Sequence, residues 1–122
     1  MVVLSACTKK TEKNNQITSW KQYQARLYDI PIAINAMPLH NYCSCSDSSS
    51  AMQLGYSSLL SKDKLIEFYR HEMERAGWLE YAIIDGFQSV LLFEKPRRVC
   101  SVAIERNSKK QTFVLISIGL KK

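Results

Sequence analysis

Residues 61–78 read SKDKLIEFYRHEMERAGW, and their apolar positions recur at helical spacing. Leu65, Phe68, Tyr69, Met73 and Ala76 fall three and four apart, which places them on one stripe of a helix. Ser61 can accept hydrogen bonds from the free amides of the first turn, and Asp63 suits the positive end of the helix dipole. Gly77 supplies a left-handed residue to close the helix, and Trp78 follows where it can fold back on Met73. Glu67, Arg70, Glu74 and Arg75 occupy the other face, with Arg70 and Glu74 one turn apart. The pattern predicts a helix of about 15 residues between Ser61 and Gly77. One helix with one apolar stripe must bury that stripe on another layer.

The flanking residues supply that layer. Downstream, Tyr81–Ile84 and Phe87–Val90 flank Asp85-Gly86, which reads as a two-residue hairpin. Leu91-Leu92-Phe93 prolongs the second strand, and Lys95-Pro96-Arg97-Arg98 reads as a turn. Val99–Glu105 alternates, with Cys100, Val102 and Ile104 on one face. A turn at Asn107–Lys110 leads to Thr112–Leu120, which is apolar almost throughout and reads as a central strand or one covered on both faces. Upstream, Ala51–Ser57 reads as a strand with Met52, Leu54 and Tyr56 sharing a face. Residues 40–50 read as a serine-rich loop, 35–39 as irregular or edge-like chain, and 29–34 as extended, because Pro31 disfavours helix before it. Trp20, Tyr23, Leu27 and Tyr28 suggest a short helix over 18–28, capped by Thr18 or Ser19. The expectation is an α+β fold: an antiparallel sheet of four to five strands with one main helix packed on one face.

The chain has 122 residues, of which 46% are hydrophobic and 23% charged, with a net charge of +6. This suits one domain, and no apolar run is long enough for a transmembrane helix. The basic residues are scattered pairs such as Lys9-Lys10 and Arg97-Arg98, without a nucleic-acid motif. They imply at most a weak attraction to anionic lipid or an acidic partner.

At the N-terminus, Leu4-Ser5-Ala6-Cys7 resembles the lipobox of bacterial lipoproteins. That resemblance implies diacylglycerol on the Cys7 sulfur, cleavage before it, and acylation, as by palmitate, of the new amino group. Multiple acyl chains anchor stably where one does not. Met1–Ala6 is then the remnant of a longer signal peptide. Thr8 after the cysteine, rather than Asp, implies the outer membrane with the domain facing the periplasm. Residues 8–16 lack any large apolar side chain and suit a polar tether. The organisation expected is a signal remnant at 1–6, an anchor and tether at 7–17, and a single domain at 18–122.

The run from Leu54-Gly55-Tyr56-Ser57 through Phe68-Tyr69-Arg70-His71-Glu72-Met73 to Gly77-Trp78, followed by Phe93-Glu94-Lys95, resembles a pattern found in small bacterial envelope lipoproteins. It covers roughly residues 30–120. Its motif residues are the packing residues of the helix, so it implies fold and compartment rather than chemistry, with an accessory place in an envelope assembly.

Three cysteines remain. A bridge from Cys43 or Cys45 to Cys100 would close a loop of about 55 residues and stabilise by roughly 2–4 kcal/mol. The alternative is a metal or ligand site from His40, Cys43, Cys45 and Cys100, whose soft donors would suit zinc or copper(I) although their spacing matches no standard signature. Inert thiols are the third reading. His71 lies one turn from Glu67, a pair that reads as a solvated helix face. Asp29, Asp47 and Ser48–Ser50 form no nucleophile elbow, and the four dispersed glycines form no phosphate loop. The sequence therefore points away from an enzyme and from any cofactor. It favours a non-enzymatic binding or structural subunit, held at a membrane by its lipid, with a protein partner and no nucleic acid.

Overall fold

A computed structural model describes residues 28–45, 51–108 and 110–121. The expected lipobox with Cys7, the expected tether, residues 18–27 of the expected short helix, and Asp47 with Ser48–Ser50 lie outside the described residues. Tyr28, the last residue of that helix reading, is in a turn.

The strands are β1 (Met37–Pro38), β2 (Ser44–Cys45), β3 (Met52–Ser58), β4 (Leu79–Ile84), β5 (Gln88–Lys95), β6 (Arg98–Ser108) and β7 (Gln111–Leu120). One helix, α1 (Lys62–Arg75), lies between β3 and β4. All pairings are antiparallel, in the order β1-β3-β7-β6-β5-β4, with β2 also pairing to β3. The expected sheet of four to five strands is thus corrected: among the described residues six strands run across it and β2 makes a seventh. The missed strands, β1 and β2, are two residues long, and one of them contains Pro38. Segments this short carry no alternation to read, and only their ladder with β3 defines them.

Helix α1 follows from its caps. The Ser61 side chain accepts from the Lys64 amide at 3.2 Å. At the other end Gly77 has φ of +93°, the Gly77 amide donates to Glu74 O, and the Trp78 amide donates to Met73 O. That is a Schellman closure, with Trp78 and Met73 as its apolar contact. Leu65, Tyr69 and Met73 are buried, while Phe68 and Ala76 are partly so. Arg70 turns to Glu80 on β4, at 2.9 Å, rather than to Glu74.

The helix covers one face of the sheet. On that face Leu54 and Tyr56 of β3, Leu91 and Phe93 of β5, Val102 and Ile104 of β6, and Val114 and Ile116 of β7 are buried, with Cys100 beside them. Strand β7 is central, between β3 and β6, and alternates strictly between buried and half-buried positions.

The Asp85-Gly86 turn differs from the two-residue hairpin expected. Ile84 pairs with Val90, so the connection is longer: residues 85–87 lie between the strands, Gln88 and Ser89 pair only with β6, and Gly86 lacks the positive φ that a two-residue turn demands. Two side chains stabilise the longer loop. Ser89 donates to Asp85 Oδ1 at 2.6 Å, and Lys62 Nζ donates to the carbonyls of Gly86 and Phe87 at 2.6 and 3.1 Å.

Candidate functional site

The structure does not bring the cysteine and histidine candidates together. His40 is exposed in a 3-10 turn, His40–Tyr42. Cys43 packs at the outer side of β3, its thiol directed at Leu39 O (3.4 Å) and Gly55 O (3.7 Å). Cys100 is buried under the helix. Both thiols are free. Cys45 pairs with Met52, Met52 with Ile118, and Ile118 with Cys100. Three inter-strand steps are roughly 14 Å, about twice the longest Cα separation a disulfide spans. The register therefore opposes a bridge from Cys45 to Cys100, and Cys43 and Cys100 are not joined to each other. Among the described residues no three His, Cys, Asp or Glu side chains gather as a metal site. Burial, together with the Asp29 charge, pushes the Cys100 thiol up to about 12, and burial also raises Cys43. Both are protonated, unreactive sulfurs at neutral pH.

Asp29 ties the start of the described chain to β5, β6 and Trp78. Its Oδ2 accepts from Lys95 Nζ at 2.8 Å and from Arg98 Nη2, and its carbonyl accepts from Trp78 Nε1 at 3.0 Å. Lys95 and Arg98 also stand over the Trp78 ring, 5.1 and 5.0 Å from its centroid. Burial alone would raise the Asp29 pKa, but the hydrogen bonds and charges of Lys95 and Arg98 outweigh it and hold the carboxyl below its ordinary value. From this latch the chain runs to Ala33, whose amide donates to Tyr56 Oη at 3.3 Å, and then to β1. Tyr56 Oη in turn lies 2.5 Å from Tyr69 Oη. Burial raises both phenols, Tyr69 far above its ordinary range, so the pair is a neutral structural bond. No local signal marks this latch, since Asp29 is 66 and 69 residues from its cations.

The surface left unpartnered is the β4 edge. β4 ends the sheet, with β5 on one side and no further strand among the described residues on the other. Leu79, Tyr81 and Ile84, with Phe87 in the loop that follows, are each more than half exposed. A bulge between Glu80 and Ala82 interrupts the ladder with β5. Beside this edge, between it and the outer flank of α1, runs a groove of about 750 Å³ with Trp78 and Phe93 at its base. Its helix wall carries Asp63, Glu67, Arg70 and Glu74, and its strand wall Leu79 and Glu80. Glu67 and His71 both line this groove, but no bond joins them. An edge with unpaired backbone groups beside a groove is the geometry for adding an extended segment as a further strand. The helix pattern did foretell the charged flank, but the neighbouring edge arises from strand order, which no residue of β4 encodes. Among the described residues no helix is long and apolar enough to cross a membrane. The chain matches no family model, and no curated protein and no solved structure matches it.

Proposed function

We propose that this protein is a lipid-anchored, non-enzymatic accessory subunit of a bacterial envelope assembly, which works by receiving an extended segment of a partner protein at β4. The carrying observation is the β4 edge, which has no further strand beside it among the described residues, with its groove against α1. The Leu4-Ser5-Ala6-Cys7 motif supports the anchor, through acyl chains on Cys7, and the resemblance to envelope lipoproteins supports the outer membrane with the domain facing the periplasm. The polar stretch 8–17 gives the domain reach from the bilayer. Main-chain hydrogen bonds to the edge supply affinity, and side chains along the groove supply selectivity.

Affinity purification of the native protein from detergent-solubilised envelopes tests the reading. A co-purifying protein that is lost from a Leu79→Lys/Ile84→Lys variant is the expected result. Recovery of the protein alone and monomeric overturns it. Intact mass spectrometry of the same material reads the anchor directly: acyl chains on Cys7 are expected, and an unmodified Cys7 removes the lipoprotein part of the proposal.

A further inference from the structure

We infer that the segment received at β4 is a strand in which Lys or Arg alternates with apolar residues. The inference rests on the reading of β4 as a receiving edge and adds the chemistry of the occupant.

Register assigns the two faces. Opposed residues in an antiparallel ladder project to the same side of the sheet. Glu80 opposes Phe93 and Ile83 opposes Leu91, both on the helix side. Leu79 opposes Glu94, Ala82 opposes Leu92 and Ile84 opposes Val90, on the far side. A strand added beside β4 presents its side chains alternately to these two environments.

The helix-side environment is acidic. The groove walls carry the carboxylates of Asp63, Glu67, Glu74 and Glu80 against the cations of Lys64 and Arg70, leaving two negative charges in a chain of net +6. Arg70 is already paired with Glu80. Asp63, Glu67 and Glu74 have no ion-pair partner among the described residues. An incoming carboxylate would meet like charge, and an apolar side chain would desolvate these groups without return. A Lys or Arg stem can instead lie along Ile66 and Ile83 while its head reaches Glu67 or Glu74. On the far side the neighbours are Leu79, Ala82 and Ile84, which an apolar side chain extends and a charged one does not. Period two in the occupant, basic then apolar, satisfies both.

The test titrates the isotope-labelled full chain with synthetic peptides of about eight residues, a strand's length. One alternates Lys and Val, one alternates Glu and Val, and one carries the same four Lys and four Val in two blocks. Amide shifts report the site. The expected result is perturbation confined to β4, its loop and the groove flank of α1. The Lys-Val alternator should bind at least about tenfold tighter than the other two. A Glu67→Lys/Glu74→Lys variant, changed only at exposed helix positions, should lose or invert that preference. Equal binding of the Lys and Glu alternators at β4 overturns the charge assignment and leaves the edge reading intact. Equal binding of the block peptide there overturns the alternation. No β4 shifts with any peptide, or shifts centred elsewhere on the sheet, overturn both the inference and the edge reading.

Discussion

Along the outer side of β3 the chain builds a cover from residues 37–45: β1, a 3-10 turn and β2, with the Leu39 amide donating to Gly55 O between the two ladders. Along the outer side of β4 it builds nothing among the described residues. The covered edge has features that resist further pairing: strands two residues long, a proline, and a turn that displaces the chain. The bare edge has a bulge and one charged residue, Glu80, and that residue is tied to Arg70. Exposed edges are hazardous in solution, so an apolar one left beside a groove calls for a use. The contrast teaches that the two ends of one sheet are finished differently: one is covered by short strands and a turn, and the other carries no further strand among the described residues.

The contrast can be broken at the closed end first. Trp78→Ala removes the ring on which Lys95 and Arg98 stand and the donor that holds Asp29 O. A loss of about 3–5 kcal/mol is expected, read by chemical denaturation. Hydrogen exchange should show the segment leading into β1 opening earlier than the β5–β6–β7 ladders.

Gly55→Ala tests the cover itself. A Cβ at position 55 would stand 2.6 Å from Tyr42 Cβ, too close for any real pair. The expected cost is roughly 1–3 kcal/mol. Because that contact is the cause, a Tyr42→Gly background should recover much of it, and a double-mutant cycle measures the coupling. Additive losses would show that the cover does not press on β3.

Asp29→Asn should cost about 1–2 kcal/mol at neutral pH, since Lys95 and Arg98 are partly solvated. The sign with pH follows from the depressed carboxyl. Its stabilisation is fully present above the ordinary value of 3.8 and is lost as pH falls through the lower folded-state pKa. The wild type should therefore lose more stability than Asp29→Asn as the pH falls below 3.8. Parallel acid profiles for the two would remove the latch from the account.

The smallest effect on stability is expected at the open end. Leu79→Lys and Ile84→Lys change exposed side chains, and each should alter stability by less than about 0.5 kcal/mol. A substantial loss in either would mean that this edge already packs against part of the molecule, and the contrast between the edges would collapse.

How far the residues themselves foretold this depends on how local each interaction is. Helix α1, its Ser61 cap and its Gly77-Trp78 closure were legible because three- and four-residue periodicity and capping chemistry act within one turn. The faces of β3 and β6 were legible because alternation has period two, whereas β7 reads as apolar almost throughout and its buried face is set by its register with β3 and β6. The strand count was not, since β1 and β2 exist only through β3, nor was the loop at 85–87, which Lys62 holds from the start of α1. The cysteine loop suggested a bridge or a metal site by composition alone, and strand register sets Cys45 three strands from Cys100. The candidate site divides in the same way. The acidic flank Asp63-Glu67-Glu74 is written in the helix sequence, whereas the edge it faces is bare only because the meander turns from β4 inward to β7.

By itself, then, the sequence determined a helix with one apolar stripe, strands with one buried face, and a polar N-terminal stretch after a motif that resembles a lipobox. Only the tertiary structure decided which strand ends the sheet, which edge is covered, and that Asp29 meets Lys95 and Arg98. Periodicity and caps depend on neighbours a few residues away, while strand order, edges and the latch depend on residues brought together from across the chain.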